Sequence, residues 1–290
     1  MQIGVTFPQN EIGSDPTVIR EYVRAVEEAG YKHLVIYDHV LGADPRNRPG
    51  WQGYTHKNLF HEPFVLFGFL AAISRLELAT AVTILPQRQT ALVAKQTAEI
   101  DVLTGGGKFR LGVGVGWNAV EYEGLGMDFK TRGRAIEEQI EVLRLLWSQE
   151  IVSYQGRFHT ITEAGLNPLP VHRSIPIWTG GSADVLLRRT ARLGDGWFPL
   201  GKPDAAMRTT IEKLHQYIKE EGRNTADVGI EARVNAGDGN LEEQARQTEA
   251  WRELGATHIS INTMNAGFTS PAEHIRAVQR YGETVASLLH

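Results

Sequence analysis

One feature limits the folds open to this chain more than any other. Short apolar, β-branched runs alternate with longer amphipathic ones, eight times over. Period-two apolar runs read as strands, and apolar residues three and four apart read as helices. Strands are expected at 3–7, 33–38, 76–83, 109–115, 175–180, 195–200, 228–236 and 257–263. Helices are expected at 17–30, 60–74, 90–103, 131–149, 183–193, 204–221, 241–254 and 271–288. Eight βα units in 290 residues fit an α/β fold of the (β/α)8 TIM barrel type. A doubly wound sheet would show fewer units and a switch point. The chain reads as one domain over 1–290. Insertions are expected after strand 2, as loop 42–58, and before strand 5, where "VSYQGRFHTI" suggests a hairpin turned at Gly156.

Composition narrows the chemistry. The chain has no cysteine, which removes disulfides, thiolate zinc sites and cysteine nucleophiles. His61-Glu62 is followed by Pro63, so the H-E-x-x-H metal helix cannot form, and no metal is expected. The densest apolar run, 64–73, falls short of the roughly 20 residues that span a bilayer, and the N-terminus lacks a signal-peptide pattern. A cytoplasmic protein with no membrane partner is expected. A net charge of −4 and a pI near 6.2 argue against nucleic acid. Redox chemistry here would fall to an organic cofactor.

The stretch "FRLGVGVGWNAVEYEGLG", 109–126, looks like a dinucleotide loop but is spaced wrongly for one. Gly112, Gly114 and Gly116 alternate, Trp117 follows, and the next expected helix starts only near 131. Two readings stay open. Either the glycines let something flat approach the strand, or Gly112 and Gly114 relieve crowding inside the barrel. Gly116 and Trp117 lie at the strand's carboxyl end, where barrel enzymes place their sites.

These residues, with "DHV" (38–40), "HEPFVLFGFLAAIS", "ATAVTILPQR", "AKQTAEIDVLTGGGKF", "RGRAIEEQIEVLRLLW" and "PIWTGGSADVLLRRTARLGDGWFP", come in an order and spacing that resemble the bacterial luciferase-like superfamily. The resemblance covers nearly the whole chain, most densely 33–199. Its "GVGVGW…EYEGLG" form is most similar to the branch that uses the deazaflavin coenzyme F420. The function this implies is hydride transfer between F420 and an organic substrate. The alternatives are an FMN-dependent monooxygenase using O2 and a non-catalytic flavin-binding protein. Relatives often form homodimers, and the same is expected here.

The resemblance also implies roles. His39 would sit beside the reactive ring face and shuttle a proton, with Trp117 at the ring's edge. Asp38 would orient His39 or merely close a turn. Ala81, Val82 and Thr83 would form a bulge behind the ring, with a cis bond at Ala81–Val82. Gly116 and Asn118 would line the cofactor. One relative, a sugar-phosphate dehydrogenase, has an acidic glutamate where this chain has Trp117. Glu121 and Tyr122 are further candidates. "TGGSAD", with Thr179, Gly180, Gly181 and Ser182 before a helix, reads as a phosphate cradle, or as a plain turn capped by Ser182. Loop 42–58 reads as a lid whose Arg46, Arg48 and Lys57 would meet an acidic tail, or as a solvated loop. The substrate wall is expected from loops such as 263–268, which suggest no charge partner.

Overall fold

The computed structural model describes residues 1–285. In it, parallel strands close into an eight-membered ring. The order is β1 (Gln2–Thr6), β2 (His33–Ile36), β3 (Glu77–Thr80) with its short continuation β4 (Thr83–Ile84), β5 (Phe109–Gly114), β8 (Ile177–Gly180), β9 (Gly196–Phe198), β10 (Gly229–Asn235) and β11 (His258–Asn262). β11 pairs back onto β1 in register, Gln2 beside His258 through Thr6 beside Asn262, which closes the (β/α)8 barrel. The insertion before the fifth barrel strand is an antiparallel hairpin, β6 (Val152–Gln155) and β7 (Thr160–Ala164). The Glu138 carboxylate pins it by accepting the backbone N–H groups of Arg157, Phe158 and His159.

Helices cover the ring. Helix α1 (Pro16–Glu28) starts where Asp15 accepts the Thr17 N–H at 2.8 Å, with Pro16 in the first turn. Its buried face is Ile19, Tyr22, Val23 and Val26. Helices α2 (Pro63–Ala71), α3 (Thr90–Leu103), α5 (Arg132–Ser148), α6 (Asp184–Leu193), α7 (Ala205–Glu220), α8 (Leu241–Glu253) and α9 (Pro271–Val285) follow the expected rhythm. The end of the expected last helix, 286–288, lies outside the described residues. A short helix, α4 (Ala119–Gly124), appears where no helix was expected. Strands β2 and β5 are buried throughout, as strands covered on both faces must be.

The expected strand 76–83 is broken. β3 ends at Thr80, β4 resumes at Thr83, and the Ala81–Val82 peptide between them is cis. This offset explains the glycine ladder. A Cβ on Gly112 would sit on the Thr80 carbonyl oxygen, and one on Gly114 would lie 2.5 Å from Val82 Cγ2. A Cβ on Gly180 would lie 2.8 Å from Val82 Cγ1. Val82 therefore occupies a trough between two glycines. Gly112 and Gly114 make room for the chain's own third strand, which favours the crowding reading.

Gly114→Ala is expected to destabilise the fold by about 1–3 kcal/mol through overpacking. Trimming Val82 to Ala should recover part of that loss. Gly112→Ala should find no such rescue, because it meets backbone. Urea unfolding of the single and double variants measures this. Additive effects at positions 114 and 82 would refute the trough.

Candidate active site

The carboxyl ends of the strands open into a cavity of about 710 Å³. Side chains alternate along each strand, so the register decides what faces it. One wall is small and apolar: Ala81, Val82 and Ile84, then Gly114 and Gly116, then Gly180, Gly181 and Phe198. The rest of the lining, from β10 and β11 round through β1 to the end of β2, is polar: Glu231, Arg233, Asn235, Asp238, Ser260, Asn262, Thr6 and Tyr37. β3 and β10 are four places apart in a ring of eight, so Ala81–Val82 and Arg233 come from opposite sides.

His39 follows β2 and lines the cavity. Its Nδ1 lies 3.3 Å from both carboxylate oxygens of Glu121. Glu121 is buried and also accepts the N–H groups of Val40 at 2.8 Å and Leu41 at 3.2 Å. Burial pushes its carboxyl up, but the His39 bond and these N–H groups outweigh it and hold the group below its ordinary value. An ionised carboxylate can only accept, so Nδ1 carries a hydrogen, and in the neutral ring that tautomer leaves Nε2 as the acceptor. Rings frame the imidazole: Tyr54 and Phe60 each at 4.7 Å and Trp117 at 6.2 Å between centroids.

Trp117 is 52% exposed and lines the cavity mouth. Trp51, from loop 42–58, packs against it at 5.7 Å. That loop is tied by a bridge between Ala43 and Thr55. Its charges are partly committed: Arg46 pairs with Asp44 at 2.6 Å, and Arg48 donates to the Asp44 carbonyl. Gly116 lines the cavity with φ of 66°, a left-handed conformation that suits glycine.

Of the expected cofactor contacts, Thr83, Asn118, Thr179 and Ser182 lie outside the cavity lining, and Asp38 lines it but is committed within the protein. Asp38 borders the cavity, but Arg88 grips its two oxygens at 2.7 and 3.1 Å and the Ile84 N–H bonds it, so its carboxylate ties the end of β2 to β4 and is not spent on His39. Asn118 is buried and caps α4 by accepting the Val120 N–H. It thereby sets the helix that delivers Glu121. Thr83 is buried and lies outside the cavity lining. The Thr179 hydroxyl points outward to Thr190 at 2.5 Å, under α6. Thr190 donates to the Leu186 carbonyl, so Thr179 is the donor in that pair. In the glycine turn, the Gly181 N–H is taken by the Phe198 carbonyl at 3.2 Å. Ser182 is exposed, and the N-cap of α6 is Ala183, not Ser182.

Sequence reasoning gave Glu121 little weight because it saw no helix there; the signal was Asn118 three residues before Glu121, a helix-start spacing. It missed Arg233 altogether. The signal was "IEARVN" (230–235), in which apolar residues alternate with Glu231, Arg233 and Asn235 in a strand whose outer face must be apolar.

The family model described as luciferase-like monooxygenase matches residues 1–286. An uncharacterized protein of Mycobacterium tuberculosis is 30% identical over 293 residues, covering 96% of this chain and 98% of that one. The FMNH(2)-dependent dimethylsulfone monooxygenase of Pseudomonas putida is 29% identical over 228 residues, covering 76% of this chain and 61% of that protein. An F420-dependent secondary alcohol dehydrogenase, solved in complex with an F420-acetone adduct, shares the fold with a TM-score of 0.80. It is 17% identical, and the match covers 99% of this chain and 98% of that one. With the match running from the first strand to the last helix, this chain belongs to the luciferase-like monooxygenase family.

Proposed function

We propose that the protein is an oxidoreductase exchanging a hydride between coenzyme F420 and an organic substrate. The observation that carries this reading is the His39–Glu121 pair bordering the cavity. A bound deazaflavin supplies hydride exchange, and the accompanying proton falls to the protein. Oxidation of a substrate hydroxyl releases a proton with the hydride. His39 Nε2 accepts that proton, and the Glu121 carboxylate stabilises the imidazolium that forms. In the reverse direction the same nitrogen returns the proton to the substrate oxygen.

The residues present fit a flat ring. A cavity of about 710 Å³ is within the usual size of small-molecule sites. Ala81, Val82, Gly180 and Gly181 would hold the ring on the small-residue wall, with Gly116, Trp117 and His39 beside it. Ser182 and the open N–H groups of the first turn of α6 would take the phosphate. The Asp184 carboxylate in that turn is already neutralised by Lys213 at 2.5 Å and Arg188 at 3.3 Å. Thr83, Asn118 and Thr179 would support this arrangement from behind, without touching the cofactor.

Reduced FMN with O2 is the second reading, favoured by the similarity to the dimethylsulfone monooxygenase. Anaerobic titration of the purified chain with each cofactor separates them. F420 is expected to bind at least about tenfold more tightly, a difference of about 1.4 kcal/mol. FMN binding with oxygen-dependent turnover, and no affinity for F420, would overturn the first reading.

A further inference from the structure

We infer that Arg233 and the Tyr37 hydroxyl form the receptor for a carboxylate on the substrate, so that the substrate class is a small organic acid. This inference rests on the proposed redox reading for what happens to that acid, though not for its binding. The cavity's position inside the barrel makes Arg233 unusual. It lies in the middle of β10, between buried Ala232 and Val234, yet it is exposed, because its side chain enters the cavity. Among the described residues no carboxylate pairs with it. Its partner is the Tyr37 hydroxyl, to which Nη1 donates at 2.7 Å.

The nearby acids are otherwise engaged. Glu231, two residues below on the same strand, is taken by Arg110 at 2.8 Å and His33 at 2.9 Å. Asp238, which also lines the cavity, accepts the neutral Asn235 amide at 3.1 Å and forms no ion pair with Arg233. Arg233 thus keeps a planar fork of donors aimed into a partly enclosed space, the geometry that suits a carboxylate. Ser260 lies beside it in strand register and adds a hydroxyl to the same wall. The small-residue wall is across the ring. An acid held by Arg233 would therefore extend its remaining carbons toward the face where a flat ring would lie. Loops such as 263–268 were expected to suggest no charge partner; the charged group stands instead on strand β10.

Isothermal titration at low salt, with hexanoate, hexanamide and hexanesulfonate as probes, tests the assignment. The full chain is expected to bind hexanoate at least about tenfold more tightly than hexanamide. Arg233→Met should abolish that preference, Arg233→Lys should keep part of it, and Tyr37→Phe should weaken it. Equal binding of acid and amide, or full hexanoate affinity in Arg233→Met, would overturn the inference. So would tighter binding of hexanesulfonate than of hexanoate, or loss of hexanoate binding once F420 or FMN is loaded, since the arginine would then serve the cofactor. Ring binding without preference for the acid would sink this inference alone. Hexanoate binding by a chain that takes up neither ring would leave the receptor standing and remove the redox reading.

Discussion

His39→Ala is expected to lower kcat by about 10²–10⁴, the usual contribution of a positioned acid–base group. Affinity for the ring should change far less, because the small-residue wall is untouched. Glu121→Gln is the sharper test. Its amide can donate to Nδ1, which would turn the imidazole into the tautomer that carries hydrogen on Nε2. The nitrogen facing the substrate then becomes a donor that cannot take the hydroxyl proton, so hydroxyl oxidation should slow, and the reverse reduction, which shares its transition state, should slow with it. Glu121→Ala adds a structural loss of about 1–3 kcal/mol, since the Val40 and Leu41 N–H groups lose their acceptor. The pH sign is fixed by the lowered Glu121 carboxyl. Its stabilising contribution is full above the unfolded value near ~4.3 and is lost as pH falls through the lower folded value. The dyad is therefore assembled throughout the neutral range. Unchanged turnover in His39→Ala, measured with saturating cofactor, would remove His39 from the mechanism.

The barrel was legible because its signals are local and repeated. Apolar strands covered on both faces and amphipathic helices such as α1 state their own type. The cavity's small wall was legible for the same reason, since Ala81, Gly116, Gly180 and Gly181 stand at strand ends. What escaped depends on contacts between distant residues. Nothing local says that Thr179 turns outward to Thr190, or that Arg88 claims Asp38 across 50 positions. The break in the third strand changed the meaning of Gly112 and Gly114, because their neighbours in space are Thr80 and Val82. Arg233 was hidden differently. Its alternation with Ile230, Ala232 and Val234 was present in the sequence, but a charged residue in a strand gains meaning only once the interior at that height is known to be open.

Glu231→Ala should cost about 3–5 kcal/mol of stability, the penalty for stranding a buried charge. At the floor of the cavity, which it helps to line, Glu231 is buried and joins Arg110 Nη1 at 2.8 Å with His33 Nε2 at 2.9 Å. Arg110 also pairs with Glu77 through Nε and lies over the Trp178 ring at 4.4 Å. Burial pushes the Glu231 carboxyl up, yet His33 and Arg110 overcome this and hold it far below the usual range. Removing it leaves Arg110 with one partner in a closed barrel. Replacing both members, as Arg110→Met with Glu231→Leu, should cost much less than either single change, because no charge is left unpaired. The same floor sets an acid limit. Burial, reinforced by Arg110, pushes His258 down to about 3. A base that resists protonation when folded loses stability as pH drops below its ordinary value near ~6.5, by up to about 1.4 kcal/mol per pH unit. Urea midpoints of the wild type should therefore fall between about pH 6.5 and 5, and His258→Phe should flatten that slope. A single-variant loss below about 1 kcal/mol, with the slope unchanged, would mean that water reaches the floor and solvates these charges. The cavity would then continue past Glu231 toward Arg110 and His33.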